Sequence, residues 1–174
     1  SGGTGQDAAI AFPDAPDIPP LRGRFHGGWC SASDYYRWGP IVRDRTTLGQ
    51  RMAAWGRSCR HPIAGLSPLV SVEIHQRNAA GRPGSFVVMG RAPQSYSLRA
   101  EQFRFACNYD DPTLPKLRAD TQLRSSHVTV QVVGERVHFT DGRGFGHGVG
   151  MCQYGAQAMA LKGHRAGAIL GFYY

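Results

Sequence analysis

The chain has 174 residues, 41% of them hydrophobic, enough for the core of one domain and too short for a two-domain enzyme. No apolar run exceeds a few residues, so no membrane-spanning helix is expected. The formal charge of +8 favours an anionic partner, but 18 of the 20 basic residues are arginines scattered from Arg22 to Arg165, which argues against a nucleic-acid-binding stripe.

Residues 1–28 are rich in proline and glycine and read as an extended lead-in that packs on the domain without regular structure. Tyr35-Tyr36-Arg37-Trp38 followed by Ile41-Val42 suits a short strand. From Thr46 or Thr47 as N-cap, Leu48, Met52 and Trp55 recur at helical spacing, giving a helix that fails near Gly56. Leu69 to Ile74 and Ser85 to Met89 alternate and flank the turn residues Gly81-Arg82-Pro83-Gly84, as a hairpin does. Tyr96 to Leu98 adds a strand before a helix over Ala100 to Cys107. A second hairpin joins Ser126 to Val133 with Arg136 to Phe139 across Gly134-Glu135, placing Val128, Val130 and Val132 on one face. Met151 to Leu161 reads as a helix with Met151, Gly155 and Met159 on one stripe, ended by Lys162-Gly163. A last helix starts near Ala166 and buries Ile169, Leu170 and Phe172. These elements predict an α+β fold of antiparallel β hairpins with a few packed helices. The apolar pattern running into Tyr174 and the start at Ser1 predict an incomplete domain, cut at both ends.

Glycine occupies every second position from Gly142 to Gly150, with Arg143, Phe145, His147 and Val149 between. As an extended strand, this period places all five glycines on one side and leaves a bare backbone strip. As a loop, it permits positive φ and exposes backbone N–H groups. A phosphate-binding GxGxxG fails because its third glycine position falls on His147, Val149 or Met151, and no GxxxxGK[ST] is present. The remaining alternative is a glycine-rich strand packed under a helix. His147, Gln153 and Tyr154 lie where the run meets a helix start, a combination suited to hydrogen-bonding a polar ligand.

Cys30, Cys59, Cys107 and Cys152 are far apart, with no CxxC and no zinc-ligand spacing, and read first as buried or free thiols, with one or two disulfides left open as the alternative. No metal site and no cofactor are expected. His26 and Cys30 have i, i+4 spacing, but Gly27-Gly28 disfavours a helix between them. Among the carboxylates, Glu73 falls on a strand face, Glu101 at a helix start, Glu135 in a hairpin turn, and Asp141 reads as a turn residue before the glycine run.

The stretch from Gly142 to Ala156, GRGFGHGVGMCQYGA, resembles the signature of the stage II sporulation protein D family, also called the amidase-enhancer domain. Ser1-Gly2-Gly3-Thr4, Trp29-Cys30 with Tyr36-Arg37-Trp38, Leu123-Arg124-Ser125-Ser126 and the ending Ile169-Leu170-Gly171-Phe172-Tyr173-Tyr174 resemble further family segments in the same order. The resemblance covers the later part of the family domain and implies an extracytoplasmic cell-envelope protein of bacteria. It implies a lytic transglycosylase of peptidoglycan, cleaving between N-acetylmuramic acid and N-acetylglucosamine to 1,6-anhydro products, with one carboxyl group as acid and then base. The family's catalytic glutamate belongs to an earlier EMP motif that this sequence does not contain, so the fragment alone is expected to be inactive. The same resemblance implies an alternative: a non-catalytic module that binds glycan and stimulates an N-acetylmuramoyl-L-alanine amidase. A third possibility is that the chain is no functional unit by itself. On either functional reading Gly144, Gly146, His147, Gly148, Gln153 and Tyr154 would line the groove for peptidoglycan glycan strands, whose carboxylates suit the positive charge.

Overall fold

The computed structural model describes residues 2–12 and 14–174. Ser1 of the SGGT segment and Pro13 of the proline-rich lead-in lie outside the described residues. The fold is α+β, with antiparallel strand pairings throughout the sheets.

Part of the lead-in is regular: α1 spans Ala8–Ala11, and residues 2–6 before it are buried. Two short strands follow, β1 (Arg37–Trp38) and β2 (Ile41–Asp44). Helix α2 spans Arg45–Cys59, and its N-cap is Asp44 rather than a threonine: the Asp44 carboxylate accepts from the Thr47 N–H at 2.8 Å. That contact holds the Asp44 carboxyl below its usual range. Gly56 does not stop the helix. It lies in the last turn because the following segment folds back so closely that a Cβ at Gly56 would come 2.5 Å from the Ala64 nitrogen.

A three-stranded sheet is formed by β3 (Ser71–Arg77), β4 (Pro83–Met89) and β5 (Ser95–Arg99), with β4 central. The first strand starts at Ser71, later than the Leu69 expected from alternation. Helix α3 (Ala100–Asn108) packs on this sheet, and the Phe86 and Phe103 rings stack with centroids 4.0 Å apart. The second sheet pairs β2 with β7 (Arg136–Thr140) and β7 with β6 (Thr129–Val133). Its β6–β7 hairpin turns at Gly134-Glu135, as the sequence predicts. Val128 is buried, and Val130 and Val132 pack against the main core from the same face. That core gathers Leu48 and Met52 from α2, Phe86 and Val88 from β4, Phe103 from α3 and Phe139 from β7.

A smaller core holds the C-terminal end. Helices α4 (Gln153–Leu161) and α5 (Ala166–Tyr173) bury Met159, Ile169 and Tyr173 beside Cys30 and Cys152, with Trp29 and Tyr36 packed on them. Met151 precedes α4 instead of joining its apolar stripe. On α5 the buried residues are Ile169 and Tyr173, spaced i, i+4 onto one face, whereas Leu170 and Phe172, expected inside, point outward. Cys107 is buried and Cys59 exposed.

Candidate functional site

The glycine run adopts the loop alternative of the two its period allows. Only Gly142–Arg143 is strand, β8, paired with β1. Gly144, Gly146, Gly148 and Gly150 then take φ of +72°, +73°, +76° and +71°. Residues with a Cβ rarely adopt this region, so each glycine reverses the local direction while the residues between it project outward. Phe145 is 63% exposed as a result.

Most glycine backbone groups that the sequence left for a ligand are spent inside the protein. The Gly144 N–H donates to the Tyr36 carbonyl at 3.3 Å and the Gly146 N–H to the Arg124 carbonyl at 2.8 Å. The Gly144 carbonyl accepts from Trp38 Nε1 at 2.8 Å, and the Gly148 carbonyl accepts from the Gln6 N–H at 2.9 Å. The Gly146 carbonyl accepts from Arg82 Nη2 at 3.3 Å. Arg82 is 0% exposed, and its other terminal nitrogen reaches the Thr4 carbonyl at 3.4 Å. Burial lowers this guanidinium to about 10, so it still carries its charge at neutral pH. The loop is therefore clamped from below by residues of four distant segments.

Above the clamp lies an open cavity of about 480 Å³. Gly144, Gly146, His147, Gly148, Gln153 and Tyr154, the six residues singled out from the sequence, all line it. Ser33, Tyr35 and Tyr36 of the segment before β1, together with Cys30 and Cys152, also line it. Those residues were missed as groove residues, although the Tyr35-Tyr36-Arg37-Trp38 cluster marked their position as an aromatic one. The thiols of Cys30 and Cys152 are hydrogen-bonded to each other, and this contact together with burial pushes the Cys30 thiol up.

His147 is exposed at the rim, and its Nδ1 accepts from the Val149 N–H at 3.0 Å. Partial burial lowers its pKa, which favours the neutral ring, and with Nδ1 accepting, Nε2 carries the proton of that form as a donor. Phe12 meets the same ring edge-on at 5.2 Å. Tyr154 and Gln153 add a phenol and an amide at the start of α4, and the Met151 N–H donates to the Tyr174 hydroxyl oxygen at 3.3 Å. The lining thus offers hydrogen-bonding groups and aromatic faces, and no described lining residue is an aspartate or glutamate. Asp141 is an exposed turn residue with φ +54°, outside the lining. Glu101 is buried, but its carboxylate is taken by Arg104 at 2.6 Å and by the Ser126 hydroxyl at 3.0 Å. Among the described residues no group of three metal-ligating side chains converges.

Beneath the loop, His127 hydrogen-bonds Thr4 Oγ1 at 3.1 Å, and its carbonyl accepts from the Arg143 N–H at 2.9 Å. Burial first, and then the positive charges of Arg82, Arg143 and Arg77, push its pKa from 6.5 down to about 3. A histidine depressed in the folded state contributes stability that is fully present above pH 6.5 and drains away as the pH falls toward 3, because only the unfolded chain takes up the proton. Lowering the pH from 6.5 to 5 is expected to cost about 2 kcal/mol through this residue. Urea melts across that range should show the loss in wild type and a flatter profile in His127→Gln.

No protein-family model matches the chain. Among curated proteins, the "Amidase enhancer" of Bacillus subtilis (strain 168) is similar to it, 44% identical over 54 residues. That similarity covers 31% of this chain and 8% of the Bacillus protein.

Proposed function

We propose that this chain is a cell-envelope module of the stage II sporulation protein D or amidase-enhancer kind. In this reading it holds peptidoglycan glycan strands in the glycine-loop groove and stimulates a separate N-acetylmuramoyl-L-alanine amidase. The observation that carries the reading is the groove itself: a clamped loop beside tyrosines, lined by Gly144, Gly146, His147, Gly148, Gln153 and Tyr154. Aromatic faces pack against the C–H faces of sugar rings, while the imidazole, amide and phenol suit their hydroxyls. The name of the Bacillus relative supports the amidase connection.

Transglycosylation needs a carboxylic acid at the glycosidic oxygen. The described groove residues supply none, and this favours binding over bond cleavage for the chain by itself. The reading is tested by sedimentation with purified sacculi and by amidase assays with and without added chain. Co-sedimentation and a faster initial release of stem peptides are expected. Chain left in the supernatant, or an unchanged amidase rate, overturns the reading, and release of 1,6-anhydro muropeptides would turn it to the transglycosylase.

A further inference from the structure

Next to the aromatic residues of the groove, and outside the cavity lining itself, stands a cation, Arg124. The Tyr35 and Phe145 rings, both lining the cavity, stand with centroids 5.0 Å apart and planes at 49°. On Tyr35 lies the Arg124 guanidinium, its Cζ 5.1 Å from the ring centroid. Arg124 is fixed at its backbone, because its carbonyl accepts from Gly146 and its neighbour Ser125 bridges to Gly146 in parallel register. The Arg124 side chain and the glycine loop are thus parts of one assembly.

What the guanidinium does not do is as informative. Among the described residues it makes no side-chain hydrogen bond and no ion pair, although other arginines, such as Arg22, Arg104 and Arg118, are held by carboxylates. Asp34, next to Tyr35 in the chain, does not pair with it. The cation–π contact holds the guanidinium beside Tyr35 while its donors stay unused by the protein, and a guanidinium with free donors can receive a carboxylate in two parallel hydrogen bonds. With no acidic side chain in the lining, nothing in the groove competes for that position.

We propose that Arg124, held over the Tyr35 ring at the edge of the groove, is its acid-reading subsite, taking a carboxylate carried by a glycan strand while the adjoining sugar ring packs on Phe145. This rests on the glycan-binding reading above and adds the property that selects among glycans. The carboxylate can come from the lactyl ether of a muramic residue or from an attached peptide, and the chemistry at Arg124 is the same.

Titration calorimetry on the full chain separates the cases with three ligands: a neutral N-acetylglucosamine oligomer, peptide-stripped peptidoglycan strands, and strands that keep their peptides. Wild type is expected to bind the acidic ligands about tenfold more tightly than the neutral one, a preference that shrinks as salt rises. Preference for stripped strands assigns the lactyl carboxylate, and preference only for peptide-bearing strands assigns the peptide. Arg124→Gln should remove the preference and leave the neutral oligomer bound as before. Phe145→Ala, at an exposed position, should weaken all three alike. Equal binding of acidic and neutral ligands by wild type ends this inference and leaves the glycan reading standing. So does an Arg124→Gln variant that keeps the preference or weakens every ligand equally. Failure of all three ligands to bind ends both.

Discussion

Gly148→Ala is expected to cost about 3 to 5 kcal/mol and to abolish binding in the groove. Two penalties add at this position. The backbone sits at φ +76°, where a Cβ costs about 1 to 2 kcal/mol. The new methyl would also come 2.1 Å from Arg82 Nη1 and 2.6 Å from its Cζ. An exposed guanidinium could swing aside, but Arg82 is fully buried and bound to the Thr4 and Gly146 carbonyls, so moving it strands a charge and two acceptors together. Gly146→Ala is the control. Its φ of +73° carries the same strain, yet no heavy atom lies within 4 Å of its added Cβ. It should lose about 1 to 2 kcal/mol, and the difference between the two variants in urea melts measures the Arg82 collision. Equal losses would show that Arg82 does not support the loop.

The second large effect is expected at Gly142, whose backbone is ordinary strand. Trp38 is its partner across the β1–β8 pair, and the indole lies flat over the glycine. A Cβ there would meet ring atoms at 2.3, 2.4 and 2.5 Å. The ring would have to leave its place in the main core and lose the Nε1 hydrogen bond to the Gly144 carbonyl. Overpacking together with that lost bond amounts to about 2 to 4 kcal/mol. Trp38→Phe vacates part of the space, so Gly142→Ala should cost distinctly less in that background than in wild type. A double-mutant cycle by chemical denaturation reads the coupling directly, and additive losses would place the strain elsewhere.

Both variants bear on how the groove is made. The glycines do not form a bare strip on which a ligand rests. They let a loop turn often enough to place Phe145 and His147 outward, and they leave room beneath for an indole and a guanidinium. The alternation in sequence is the imprint of close approach on the inner side of the loop and of projection on the outer side.

Much of this was legible in the chain alone. The two hairpins, helix α3 and the final helices follow from alternation, turn residues and helical spacing, all of which act over a few residues. The six residues singled out around the glycine run lie within one short segment and so share one cavity, while their part in binding belongs to the proposal. Helix α2 was legible in type but not in its ends, because its cap is an aspartate in the preceding strand and its glycine is tolerated by a segment folding back on it. The outward turn of Leu170 and Phe172 was not legible, since an apolar run on a short helix does not say which face meets a neighbour.

From its order of residues this protein determined an α+β architecture and a glycine run carrying an imidazole just before a helix that starts with an amide and a phenol, because local backbone preference and periodic burial need no distant partner; whether that run is strand or loop stayed open. Only the tertiary structure decided what stands beside and beneath that loop. Trp38 is 106 residues from the Gly144 carbonyl it holds, and Arg82 is 64 from that of Gly146. Arg82 reads in sequence as part of a hairpin turn, yet it is buried, because packing four segments around one loop requires a donor long enough to reach carbonyls that no local structure could satisfy.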